Sequence, residues 1–279
     1  MASERYQCRL SPDLLEKAVT ELNEPRNNEE RLKAIDDLRE SFDSETYGSL
    51  ARTDDVFILR FLRAKKFNQK KALLALHNYH KVRKENKEIF DKVTNPALLK
   101  HVFEAGVIIA IDGAGKDGSC VVMDRLGKIV KGMDIYDLTA YGVLTVEKLL
   151  ENERNQILGM QAVEDMENFN ISIVTKVSPV ALSKMNSIWQ DAMPIRIKNM
   201  HVLNEGKMMD IIMAIFKLFI KQKLIDRIKC HGQNYVGVHE YVNPTMIPPC
   251  FGGTGPSFDS LVKTWNEQLE EDLPQDTKL

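Results

Sequence analysis

Cysteine is scarce in this chain: four in 279 residues, at Cys8, Cys120, Cys230 and Cys250. Their wide spacing contains no C-x-x-C motif, which excludes a zinc ribbon or a dithiol redox centre and leaves no disulfide framework. A long apolar run is missing too, since none approaches the ~20 residues of a bilayer-spanning helix. The opening MASERYQCRL is polar and lacks the apolar core of a secretory signal. Together these absences predict a cytoplasmic protein with reduced thiols. Catalytic signatures are equally thin. Neither G-x-S-x-G nor H-E-x-x-H occurs, and Ser178 and Ser183 have no base at a recognisable spacing. His77 and His80 lie three apart without a third ligand, so no metal is expected.

What is present describes an ordinary globular chain, 43% hydrophobic and 28% charged. Its net charge of −2 conceals an asymmetry. Between Arg196 and Lys229 lie eight cations: Arg196, Lys198, Lys207, Lys217, Lys221, Lys223, Arg227 and Lys229. Only Glu205, Asp210 and Asp226 oppose them there. A local basic block on a mildly acidic protein points to one specific anionic partner, not to nucleic acid.

The first third reads as helices. Ser11-Pro12, Asn27 or Asn28, Thr53-Asp54-Asp55 and Asn68 are start signals, followed by apolar residues at helical spacing. No strand signal precedes about residue 105. Thereafter short β-branched runs, Gly106–Asp112 and Ser119–Leu126, give way to a helical stretch over 134–153. Strand candidates at 160–166 and 199–203 bracket a helix opened by Ser178-Pro179. Strands alternating with long helices predict a mainly parallel sheet. The segment after Gly253 reads as a weakly packed tail. Gly113–Gly118 fits G-x-G-x-x-G, but a strand follows where a dinucleotide site needs a helix N-terminus. It reads as a loop joining two strands, and a nucleotide-dependent oxidoreductase is the weakest of the readings kept open.

One segment resists the ordinary core reading. Lys207–Ile220 (KMMDIIMAIFKLFI) has ten large apolar residues in fourteen. Lys207, Asp210, Ala214, Lys217 and Lys221 form a single narrow polar stripe on a helix. At 1.5 Å per residue it is ~21 Å long, too short to cross a bilayer. Three methionines suit an adaptable surface, and the cations at its end suit an anionic lipid interface. A lid over an apolar cavity is the predicted role.

Four stretches, Thr53–Phe67 (TDDVFILRFLRAKKF), Met193–Glu205 (MPIRIKNMHVLNE), Ile228–Asn234 (IKCHGQN) and Met246–Gly253 (MIPPCFGG), resemble the CRAL-TRIO lipid-binding family, in order and over nearly the whole chain. The resemblance implies an α/β protein with an N-terminal helical subdomain (1–95) and a CRAL-TRIO domain (96–256). In that domain a mainly parallel sheet floors an apolar cavity closed by a gate helix; a tail (257–279) follows. It implies non-enzymatic binding and transfer of a retinoid or a tocopherol-like isoprenoid, with reversible docking on phosphoinositide-containing membranes. Phospholipid or phosphoinositide exchange is the alternative.

Carried over by position, the headgroup site uses Lys65, Arg196, Lys198, Lys223 and Arg227, with Lys217 and Lys221 adjacent. The cavity wall uses Leu126, Thr139, Gly142, Val143 and Val146, then Met160, Ala162, Val177, Met185 and Ile188. Trp189, Met193, Ile195, Ile197 and Met200 complete it. The lid contributes Met208, Met209, Ile212, Met213 and Phe216. Glu164 interrupts a buried strand, where the tocopherol carriers have an aromatic residue and the retinaldehyde carriers a glutamate. A carboxyl group there has to be protonated or hydrogen-bonded, and can meet a polar end of the ligand. Asp124, Met193, Gly206 and Cys250 depart from the family pattern. With Glu164, Asp124 is a candidate polar subsite for the exchanger alternative. Gly206, in place of proline, makes the lid hinge more permissive.

Overall fold

A computed structural model describes residues 5–175 and 177–271, apart from the side chains at 173 and 174. The N-terminal helices are α1 (Pro12–Leu22), α2 (Asn28–Glu40), α3 (Ser44–Tyr47), α4 (Asp55–Ala64), α5 (Gln69–Glu85), α6 (Lys87–Thr94) and α7 (Lys100–Ala105). Ser11 precedes α1 without a side-chain cap bond, whereas the later start signals act as caps. Asn27 accepts from the Glu29 amide, Asp54 from Phe57 and Asn68 from Lys71, each satisfying a backbone donor that the first turn leaves open. Strands β1 (Ile108–Ile111) and β2 (Cys120–Arg125) are antiparallel, joined by the glycine-rich loop as expected.

Helix α8 (Ile135–Glu151) opens on a capping box between Asp134 and Asp137, and α9 (Glu153–Leu158) leads into β3 (Met160–Asp165). The chain then forms α10 (Ser172–Thr175), α11 (Pro179–Asn186) and a wide π-type turn (Ser187–Ala192), and returns as β4 (Ile197–Leu203). Next come α12 (Met208–Phe216), α13 (Gln222–Ile225), β5 (Ile228–Cys230), α14 (Tyr235–Val238) and α15 (Phe258–Glu271). The five strands lie in chain order, with β2 to β5 parallel. The predicted class, an α/β fold with a helical N-terminal region and a mainly parallel sheet, is the one observed.

Two differences from the sequence reading have physical causes. Residues 258–271 are not a loose tail. Phe258 stacks on Phe251, Trp265 is buried in the main core, and Asn266 accepts from the Tyr141 hydroxyl at 2.8 Å. The lid helix is also shorter than expected, ending at Phe216, because residues 217–220 tighten into turns that Gln190 holds from outside.

The helical region is bolted to the sheet domain through buried guanidinium groups. Arg60 donates to Glu147 and Glu151 of α8, both at 2.9 Å. Arg63 bridges Glu24, Glu153, Gln156 and the Tyr6 hydroxyl. Breaking one partner would strand a buried charge, at a cost of roughly 3–5 kcal/mol. These contacts fix α8, whose other face borders the site described next.

Candidate functional site

Strand parity builds the floor of a cavity. Alternate residues of a strand face opposite sides. On one side Val121, Met123, Val163 and Leu203 pack into a dry core with Val238, Val242, Ile247 and Phe251. On the other, Ile108, Val122, Asp124, Met160, Ala162, Glu164, Met200 and Ile228 line a cavity of about 300 Å³, and a register shift beside Met160 brings Ile197 to the same side. Its walls are Gly142, Thr145 and Val146 of α8, with Leu182, Met185, Asn186, Trp189, Gln190 and Ile195 opposite. Gly142 has a direct role, since a Cβ there would stand 3.0 Å from the Trp189 ring. Phe216, Phe219, Ile220 and Leu224 roof the space. A side lobe of about 70 Å³ continues under the lid between Leu126, Met209 and Ile212, and Glu164 borders both lobes.

The carried-over wall positions therefore divide. Gly142, Val146, Met160, Ala162, Glu164, Met185, Trp189, Ile195, Ile197, Met200 and Phe216 border the main lobe, and Leu126, Met209 and Ile212 the side lobe. Thr139, Val143, Ile188 and Met193 are buried in the main core instead, and Thr139 donates its hydroxyl to the Ile135 carbonyl. Val177 is half-buried in the bend before α11, outside both lobes. Met208 packs on the cluster beneath the lid, and half-buried Met213 borders neither lobe. Sequence reasoning missed Ile108, Val122, Thr145, Leu182, Asn186, Gln190, Phe219, Ile220, Leu224 and Ile228. Parity with Asp124 pointed to Val122, but the others needed the packing.

Asp124 and Glu164 are register partners on β2 and β3. Each is half-buried and lines the cavity. Burial holds the Glu164 carboxyl above the usual carboxylate range. Burial, then the charges of Glu164 and Asp165, raises Asp124 well above it.

Alongside lies a basic pocket of about 390 Å³, lined by Lys65, Lys66, Arg196, Lys198, Lys221, Lys223 and Arg227. The expected cations converge here except Lys217, which is exposed at the end of α12. Lys66 is an addition adjacent in sequence to Lys65. A left-handed turn at Lys66 and Phe67 (φ 54° each) ends α4 at this pocket. Lys198 is tied to Asp117 of the glycine-rich loop. Burial pushes that carboxyl up, but hydrogen bonds from Lys198 and Ser119 outweigh it and bring it down to about 2. Lys221 pairs with Asp191, and Arg196 and Arg227 donate to the Ile157 and Ile197 carbonyls. Lys65, Lys66 and Lys223 have no carboxylate within ion-pair distance among the described residues. Burial, and after it the charge of Lys221, pulls the Lys65 ammonium below its ordinary value; Asp191 opposes this and Lys223 adds to it. Crowded like charges of this kind are relieved by a bound anion.

The two spaces share Trp189, Gln190, Ile195, Ile197 and Leu224. Gln190 reaches across: its amide donates to the Phe219 carbonyl at 3.3 Å and its Oε1 accepts from the Lys221 amide at 2.9 Å. The lid's polar stripe, Lys207, Asp210, Ala214, Lys217 and Lys221, is exposed as predicted, and so are Ile211 (50%) and Leu218 (77%). No described helix is long and apolar enough to cross a membrane.

Comparison with known proteins identifies this arrangement. Residues 104–253 match the CRAL/TRIO domain and residues 32–78 the CRAL/TRIO N-terminal domain, so the chain belongs to the CRAL/TRIO family. The human protein named alpha-tocopherol transfer protein-like is 34% identical over 265 residues, covering 95% of this chain and 76% of that one. Human clavesin-2 is 31% identical over 268 residues, covering 94% and 80%. The crystal structure of Sfh5 superposes with a TM-score of 0.57 at 13% identity, covering 95% of this chain and all of that one, a likeness of fold.

Proposed function

We propose that this protein binds one small hydrophobic molecule, a retinoid or a tocopherol-like isoprenoid, and moves it between membranes without converting it. The basic pocket docks on phosphoinositide headgroups, and α12 opens into the interface. The protein then works as a cytoplasmic carrier, held reversibly at membranes. The observation that carries this reading is the wall shared by an apolar cavity and a cluster of converging cations, with Gln190 in that wall holding the end of the lid. An anion that draws Lys221 away from Asp191 loosens the same segment that roofs the cavity. Exposed Ile211 and Leu218 beside Lys217 give the lid an outer surface suited to a lipid interface.

The name of the 34%-identical relatives supports a tocopherol-like cargo. Phospholipid exchange is the second reading, because the basic pocket could take a phosphodiester while acyl chains enter the adjoining cavity. The two separate in one assay: transfer of fluorescent tocopherol and of fluorescent phosphatidylcholine between vesicles, with and without phosphatidylinositol bisphosphate in the acceptor. The carrier reading predicts tocopherol transfer accelerated by the phosphoinositide. Phosphatidylcholine transfer alone would favour exchange, and no transfer of either would refute both.

A further inference from the structure

The sheet face that floors the cavity is apolar except along one row. Across the strands that row runs Ile108, Asp124, Glu164, Val202. The two acids are neighbours on parallel strands, so their side chains rise side by side from one face. Ile108 and Val202 flank them, and Val122 and Ala162 form the next pair along the same face. No cation answers them among the described residues. Arg125, next in sequence, lies on the opposite face, 3.7 Å from Asp165 and 3.9 Å from Glu167. Asp124 Oδ1 is buried with no hydrogen-bond partner.

A lone pair of carboxyls in an apolar chamber cannot both ionise, since two negative charges in low dielectric repel strongly. Burial raises both carboxyls above the ordinary carboxylate range, so the pair keeps at least one proton at neutral pH. The pair therefore offers at least one O–H donor and several acceptor oxygens to the main lobe, and Glu164 borders the side lobe as well. We propose that Asp124 and Glu164 act as one proton-sharing pair that receives the hydroxyl head of a neutral lipid alcohol and excludes lipids ending in a carboxylate. The assignment rests on the carrier reading and deepens it by naming the head group.

A hydroxyl both donates and accepts, so it is the one simple head that satisfies a carboxyl pair holding a single proton. A hydrocarbon leaves buried oxygens unpartnered. A fatty acid brings a further negative charge beside a pair that already carries one. From the penalty for an unmet buried polar group, the alcohol is expected to bind about tenfold to a hundredfold tighter than the matched hydrocarbon.

The test uses the full chain and three probes on one C20 isoprenoid skeleton: phytane, phytanol and phytanic acid. Binding is read from the emission of Trp189, which borders the cavity. Phytanol is expected to bind tightest, with phytanic acid weakest. An Asp124→Leu/Glu164→Leu variant is expected to bind phytane at least as well as wild type and to lose the preference for phytanol. If that variant does not fold, Asp124→Asn/Glu164→Gln keeps the shapes and is expected to bind phytanic acid nearly as well as phytanol. Equal affinity of wild type for all three probes, or preference for the acid, overturns the pairing and leaves the carrier reading standing. Failure of every probe to bind overturns both.

Discussion

If the basic pocket docks the protein on membranes, removing the right cations from it should weaken docking and spare cargo binding. Arg196 and Arg227 hold backbone carbonyls, and Lys198 and Lys221 hold acids, so changing them disturbs the fold as well as the field. Lys65, Lys66 and Lys223 carry no such contacts among the described residues and point into the same pocket. Each cation near an anionic surface contributes about 1 kcal/mol, so Lys65→Gln/Lys66→Gln/Lys223→Gln should remove about 3 kcal/mol. That is roughly a hundredfold in vesicle affinity. The assay is sedimentation with vesicles containing phosphatidylinositol bisphosphate at physiological salt, alongside cavity binding followed through Trp189. Vesicle affinity should fall by about two orders of magnitude while cavity affinity stays within about twofold. A loss under about threefold, or an equal loss of both, would refute the argument that this cluster does the docking.

Two further outcomes follow from the geometry. Gln190→Ala deletes both hydrogen bonds to the end of the lid, each contributing about 1 kcal/mol, so cargo release in stopped flow should quicken by about tenfold or more with the melting temperature little changed. In the fold, Asp124 and Glu164 keep protons at pH values where an unfolded chain, titrating at its ordinary 3.8 and 4.5, has lost them. At these two positions the native state then binds more protons than the unfolded one, so their contribution to stability falls as pH rises from about 4 towards neutrality. Asp124→Asn should flatten that slope in urea melts and stabilise the protein at pH 7.5 by about 1–3 kcal/mol, with little gain at pH 4. Parallel slopes for the two proteins would show that the acid is not held protonated.

Local signals proved the most legible. Asp54, Asn68 and Asp134 cap helices with atoms two or three residues away, so the sequence carries all the information needed. Strand parity is likewise local and separates Val122 and Glu164 from Val121 and Val163. The face of a helix is not local. Val143 and Ile188 are as apolar as Val146 and Trp189, and only the packing decides which of them border the cavity. The basic pocket draws Lys65 and Lys66 together with residues about 130 positions later, and there the family resemblance, not spacing, carried the inference. The end of α12 was misjudged because Gln190, the residue that holds it, lies on another element.

The central claim is that the 300 Å³ cavity carries one apolar molecule. Protein purified from its native source, extracted with organic solvent and analysed by absorption and mass spectrometry, tests it most directly. The account predicts one dominant retinoid or isoprenoid at close to one molecule per chain. A mixture of phospholipids, or no lipid at all, would contradict it.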